Sequence, residues 1–208
     1  WQARARSDEG RRSADQHLRG APGEFPRRAD DTVAQSVVAD RVPAAYRPGL
    51  LALREGPILA AAVAALPVRP DVLLVDASGV DHPRRAGLAV HLGAVTGLPT
   101  VGVTQRSLLA SGPWPELRRR AMSAVTVDGR IVGYWVCTRT GSRPVLAHAA
   151  WRTSAETAAE TVLAASTEAA RTPVPLQEAR RVAREARSVA EAGGAGLMVR
   201  RSGPHGRE

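Results

Sequence analysis

A short apolar run closed by an aspartate, DVLLVDASG at 71–79, constrains the fold more than any other stretch. Consecutive apolar residues without polar alternation predict a strand buried on both faces, as in an α/β sheet. A loop follows, DHPRRAG at 81–87, then a helix over LAVHLGAVTG that ends on Gly97, then a second apolar strand, LPTVGV at 98–103. A glycine just past the last helical turn is a common stop. Strand, helix, strand in that order predicts parallel pairing through a right-handed crossover. Strand C-terminal ends in such sheets are where ligands and catalytic groups gather, so Asp76 is the first candidate functional residue.

The flanking text completes an α/β chain. LLALREGPILAAAVAAL at 50–66 reads as a helix that Pro57 must interrupt or restart. TVAQSVVA at 32–39 reads as a strand, and PELRRRAM at 115–122 as a short helix. SAVTV and IVGYWVCTR are joined by Asp128-Gly129, a strong hairpin signal. PVLAHAA at 144–150 is a further strand, and two alanine-rich helices cover roughly 154–170 and 175–190. Residues 1–31 are arginine-rich and show no period, so they read as disordered or aberrant. The folded domain is expected over 32–192, with a flexible tail at 193–208.

Composition narrows the class. The chain has 208 residues and is 44% hydrophobic but only 3% aromatic, so its core must be built from Ala, Val and Leu. A single cysteine excludes an internal disulfide framework and a cysteine-rich zinc site. No apolar run reaches the ~18 residues a membrane span needs, and WQARARSDEG has no apolar signal core. The expectation is a cytoplasmic monomer with no membrane partner. A net charge of +9 fits a polyanionic partner. It fits a GC-rich genome equally well, because all 29 basic residues are arginine and asparagine is absent too.

Chemistry concentrates in 46–109. Glu55 lies on the first helix, Asp76 ends the buried strand, and His82 follows six residues later beside Arg84 and Arg85. Carboxylates hold Mg²⁺ through oxygen, the metal activates water, and cations neutralise phosphate. The set suits metal-assisted phosphodiester chemistry. A strand-end aspartate serves equally well as a turn or cap residue, and Tyr46 alone reads as a turn aromatic. His91, Trp135 and Cys137 read as packed residues, and the RRR at 118–120 as a solvated face.

The runs YRPGLLALREGPIL and PDVLLVDASGVDHPRRAGLAVHLGAVTGLPTVGV resemble the endonuclease V family. That family carries a PYIPG-L-x-x-R-E-x-P segment, a D-G-x-G-x-x-H-P-R-x-x-G-x-A-x-H-x-G segment and a P-T-x-G-V-x-K strand. The order and spacing match, and the likeness extends from about residue 43 to about 187. The resemblance implies an RNase H-like mixed sheet flanked by helices. It implies a Mg²⁺-dependent nuclease, with Mn²⁺ as a substitute, that cuts the second phosphodiester bond 3′ to deoxyinosine in DNA. Some members act on inosine in RNA. By resemblance Asp76 and Glu55 hold the metal, and His82 lies near the scissile phosphate. Tyr46 and Pro48, with Gly49, form a wedge that fills the gap left by the damaged base. Gly79 lets backbone approach that base, and Arg84 belongs to the binding surface.

Four departures qualify the resemblance. The family's first-strand aspartate has no counterpart, since Asp30, Asp31 and Asp40 stand in the wrong context. The opening residues read as a translation in another frame or a truncated gene model, with the first strands of the sheet missing and the Asp76 strand left as an edge. Gln105 replaces a lysine, and a neutral amide cannot neutralise phosphate. PVLAHAAWR replaces P-V-Y-V-S-P-G-H-R, so Trp151 stands where a histidine belongs and His148 lies three residues away. Ala77 replaces the first glycine of D-G-x-G, where its methyl is expected to crowd a contact or strain a positive φ. Impaired activity is expected, the alternative being a catalytically inactive inosine-binding or nucleic-acid-binding homologue.

Overall fold

The computed structural model describes residues 32, 34–40 and 49–193. The elements in order are α1 (Leu51–Ala64), β1 (Leu73–Val75), α2 (Leu88–Thr96), β2 (Thr100–Thr104), β3 (Met122–Val127), β4 (Arg130–Val136), β5 (Val145–Ala149), α3 (Ala155–Ala164) and α4 (Val174–Gly193). The strands form one mixed sheet in the order β1-β2-β5-β4-β3. β1 and β2 are parallel, as the strand–helix–strand pattern predicts, with Leu73 opposite Thr100 and Val75 opposite Gly102. The remaining pairs are antiparallel. The RNase H-like class of mixed sheet with flanking helices is therefore borne out, and among the described residues β1 is an edge strand.

Side-chain alternation divides the core between the two sheet faces. Val101, Val103, Val145 and Ala147 pack with Ala158, Val162 and Leu176 of α3 and α4, and Leu74 joins them. Leu73 and Val75 point the other way, into a cluster with Leu51 and Leu59 of α1 and Leu88, Ala89 and Leu92 of α2. β1 is thus covered on both faces, as its unbroken apolar run requires. The core is aliphatic apart from Trp135, and Cys137 is fully buried.

Local signals explain most boundaries. Gly97 adopts the left-handed conformation (φ 70°) and closes α2 by donating its N–H to Gly93 O. Asp128 and Gly129 both have positive φ, 50° and 74°, as a two-residue turn matched to strand twist demands. Ser154 caps α3 by accepting from Thr157 N at 3.1 Å.

Several readings need correction. α1 runs unbroken through Pro57, which is exposed. One lost backbone bond is outweighed because Leu51, Ala52, Leu59 and Ala60 bury against the β1–α2 cluster. Residues 32 and 34–40 hold no strand, only a bridge at Gln35; Ser36 Oγ instead donates to Ala62 O of α1 at 2.5 Å. The stretch 115–121 is a turn rather than a helix. Arg120 sits at φ 72° and its N–H donates to Cys137 O just past β4, while Cys137 N donates back to Ala121 O, so the stretch bonds across to β4 rather than along a helix. Arg119 is not part of a solvated face, since its guanidinium donates to Thr138 O at 3.1 Å and Ser166 O at 2.7 Å. α3 stops at Ala164, short of residue 170. No helix among the described residues is long and apolar enough to cross a membrane.

Candidate functional site

Asp76 leaves the C-terminal end of β1 with its side chain about half exposed, beside a shallow cleft lined by Thr104, Gln105, Thr172, Leu176 and Arg180. Its partner is Arg180 of α4. Nε and Nη2 both donate to Asp76 Oδ2, at 2.9 and 2.5 Å. Gln105, the residue standing for the expected lysine, lines the same cleft.

The loop after Asp76 is held by contacts that explain its small residues. Ala77 is buried in the α1–α2 cluster and its φ is not positive, so its methyl neither strains the backbone nor stands free. The expected penalty for losing glycine there does not arise. A methyl at Gly79 would collide with Ala149 O and press on His148 Cβ. The loop backbone docks on β5 at this point, with Val80 N donating to Ala149 O at 3.0 Å. Gly79 thus has a packing reason of its own.

Two residues later comes a group that sequence reasoning missed. Asp81 is fully buried, and its carboxylate accepts from the backbone N–H groups of Leu108, Leu109 and Ala110 at 2.8, 2.8 and 2.6 Å. A buried carboxylate is tolerable only when so satisfied. Asp81 also lies 3.9 Å from His148 Nδ1, itself fully buried. His148 Nε2 is 2.7 Å from Thr104 Oγ1 at the end of β2. Burial pushes the His148 pKa down to about 4, against the opposing pull of Asp81, so the ring is neutral at pH 7. His148 is hydrogen-bonded to Thr104 at the edge of the Asp76 cleft, and its other ring nitrogen faces Asp81 across a gap too long for a hydrogen bond. An aspartate in the loop next to a histidine in the sequence carried no sign that it would be buried.

His82 and Arg84 meet Gly49 just ahead of α1. Arg84 Nη1 donates to Gly49 O at 2.8 Å, and Arg84 N donates to His82 Nδ1 at 3.2 Å. That second bond makes Nδ1 an acceptor and leaves Nε2 as the donor. Burial lowers the His82 pKa, the Arg84 charge lowers it further, and Asp81 opposes both. Gly49 has φ 75°, a conformation that favours glycine, and a Cβ there would lie 2.9 Å from Arg84 Nη1 and 3.8 Å from His82 Nε2. Gly49, His82 and Arg84 thus converge although 35 residues separate Gly49 from Arg84.

The other candidates are placed differently. Glu55 lies partly exposed in the second turn of α1, with no hydrogen bond to Asp76. Tyr46 and Pro48 lie outside the described residues. His91 packs over Gly56, as a helix-packing residue should. Trp151 packs against Gly93 of α2, and its backbone carbonyl accepts from Thr100 N at 2.9 Å. It has the role of a strut, not of a histidine.

A hard divalent cation needs about six oxygens, several of them from carboxylates. Among the described residues no three His, Cys, Asp or Glu side chains gather to hold a metal. Asp76 already carries a guanidinium, and Gln105 and Thr104 add no charge. The buried polar atoms left without partners at His148 and Trp151 are nitrogens, not oxygen ligands. The described residues do not fit Mg²⁺ or Mn²⁺.

The chain as a whole is similar to known proteins. The family model described as endonuclease V matches residues 24–181. Endonuclease V of Nocardia farcinica is 42% identical over 150 residues, covering 71% of this chain and 65% of that protein. Endonuclease V of Thermus thermophilus is 44% identical over 115 residues, covering 54% of this chain. The match spans about half the length of that relative. Among solved structures, endonuclease V of Streptomyces avermitilis superposes with a TM-score of 0.68 at 29% identity, covering 89% of this chain and 94% of that one.

Proposed function

This chain belongs to the endonuclease V family, and from that premise we propose that it acts on DNA containing deoxyinosine, as a nuclease of the second phosphodiester bond 3′ to the lesion. The observation that carries the reading is the convergence of Arg84, His82 and Gly49 at the start of α1. Arg84 supplies a fixed positive charge for a phosphate oxygen. His82, kept neutral, offers its Nε2–H as a donor at the same place. Gly49 ends the segment that carries Tyr46 and Pro48, the residues proposed to fill the base-stack gap. Stacking of an aromatic on an exposed base is worth ~1–3 kcal/mol. Glu55 and Asp76 are the carboxylates proposed for the cleavage centre, and since the described residues do not fit Mg²⁺ or Mn²⁺, a metal there would need ligands from outside them.

A second reading is favoured by the Asp76–Arg180 contact: recognition of inosine without cleavage. One experiment separates the two. A labelled duplex carrying a single deoxyinosine is compared with its deoxyadenosine counterpart, with Mg²⁺ or Mn²⁺ present, and both binding and nicking are scored. Nicking at the second bond 3′ to the lesion, lost in Asp76→Asn, supports the nuclease. Inosine-dependent binding without nicking supports the second reading. Equal binding to both duplexes sinks both.

A further inference from the structure

We propose that Arg180 takes the place of a divalent cation at Asp76, so that this chain keeps its strand-end carboxylate closed by arginine and free of metal. The inference concerns the same Asp76 on which the proposed function draws. The guanidinium of Arg180 brings a fixed positive charge and planar donors suited to a carboxylate. Nε and Nη2 converge on a single oxygen, Oδ2, at 2.9 and 2.5 Å. Both side chains stay partly open to solvent, 39% exposed for Arg180 and 48% for Asp76, so a metal ion has access yet must compete with the guanidinium.

α4 fixes that guanidinium in place. Leu176 is buried in the core between sheet and helices, and Arg180 follows it by four residues, on the same helix face. The helix start is tied down, since Leu176 N and Gln177 N both donate to Pro173 O, at 3.1 Å each, and Gln177 Nε2 donates to Thr172 O at 2.6 Å. Arg180 therefore reaches Asp76 from an anchored backbone. The cleft between them holds one acidic side chain and one basic side chain, and its other polar members, Thr104, Gln105 and Thr172, are neutral. It is charge-balanced without a metal. A divalent ion arriving there would meet a positive charge already in hydrogen-bond contact with its best ligand, and no second carboxylate among the described residues lining the cleft.

The test is Mn²⁺ titration followed by electron paramagnetic resonance of the free ion, without nucleic acid, on the full chain. Wild type and Asp76→Asn should be indistinguishable. Arg180→Asp, which replaces the cation with a second carboxylate, should bind Mn²⁺ at least roughly tenfold more tightly, and Asp76→Asn should abolish that gain. Wild-type binding that exceeds Asp76→Asn overturns the proposal, as does an Arg180→Asp chain that folds and gains nothing. Thermal melts establish folding. If Arg180→Asp does not fold, the milder Arg180→Gln takes its place, and it should bind Mn²⁺ more tightly than wild type in an Asp76-dependent manner. Inosine-dependent DNA binding is scored separately, so failure of the metal inference leaves the inosine reading standing, and the reverse.

Discussion

The Asp81 carboxylate lies 3.9 Å from His148 Nδ1, with both side chains fully buried, where the loop after β1 faces β5. Its acid behaviour follows from the sign of the histidine shift. Burial brings the His148 pKa from 6.5 down to about 4, so the unfolded chain binds the proton more readily than the native one. The stabilisation is fully present above pH 6.5 and is lost as pH falls toward 4. At 1.36 kcal/mol per unit the loss is at most about 3 kcal/mol. His82, also lowered, adds a change of the same sign. Urea unfolding at pH 7 and pH 4.5 should show the decline, and His148→Gln should flatten it. An unchanged slope in that variant would assign the effect elsewhere.

Asp81 should be among the costliest polar residues to replace. Asp81→Ala leaves three backbone N–H groups, those of Leu108, Leu109 and Ala110, without their acceptor. The Ala110 N–H is buried and costs about 1–3 kcal/mol as an orphan, whereas Leu108 and Leu109 are exposed and water can partly satisfy theirs, so a loss of at least ~1 kcal/mol is expected. Hydrogen exchange at the three amides is the direct readout. They should be protected in wild type and exchange quickly in the variant, and equal protection would mean that the carboxylate does not hold the loop.

The Ala77 site tests a different kind of departure. Its φ is not positive and its methyl is buried. Restoring glycine with Ala77→Gly should therefore destabilise by roughly 0.5–1 kcal/mol through backbone freedom, and somewhat further because a buried methyl is removed. Affinity for deoxyinosine DNA should stay the same. A melting temperature that rises in Ala77→Gly would show strain that the backbone geometry does not.

What could be read in the sequence divides along physical lines. β1, α2 and β2 were legible because each is set by local pattern: an unbroken apolar run, a glycine at φ 70°, a second apolar run. The Asp128-Gly129 hairpin was legible because those residue types tolerate positive φ. The persistence of α1 through Pro57 was not, since burial of Leu51 and Leu59 against α2 decides it, and that is a tertiary effect. The same holds for the site. His82 and Arg84 announce themselves by motif. Arg180 does not, because its partner Asp76 lies 104 residues away and α4 gives no sign of which arginine will face the sheet edge. Asp81 carries no sequence sign of burial, because the N–H groups of 108–110 that enclose it come from a distant stretch of chain.

Arg84 is where stability and binding should separate. Its guanidinium holds Gly49 O at the surface, in a bond worth little to folding, while its charge faces the proposed phosphate path. Arg84→Ala should change the melting temperature slightly but weaken binding to deoxyinosine and undamaged duplexes alike. The slope of log affinity against log salt should fall by about one, as expected when a single phosphate is no longer neutralised. Gly49→Ala supplies the contrast. It adds a methyl 2.9 Å from Arg84 Nη1 at a φ of 75°, so it should cost about 1 kcal/mol of stability and also disturb binding. If Arg84→Ala instead lowers stability as much as Gly49→Ala and leaves the salt slope intact, Arg84 is a structural clamp and the phosphate path lies elsewhere.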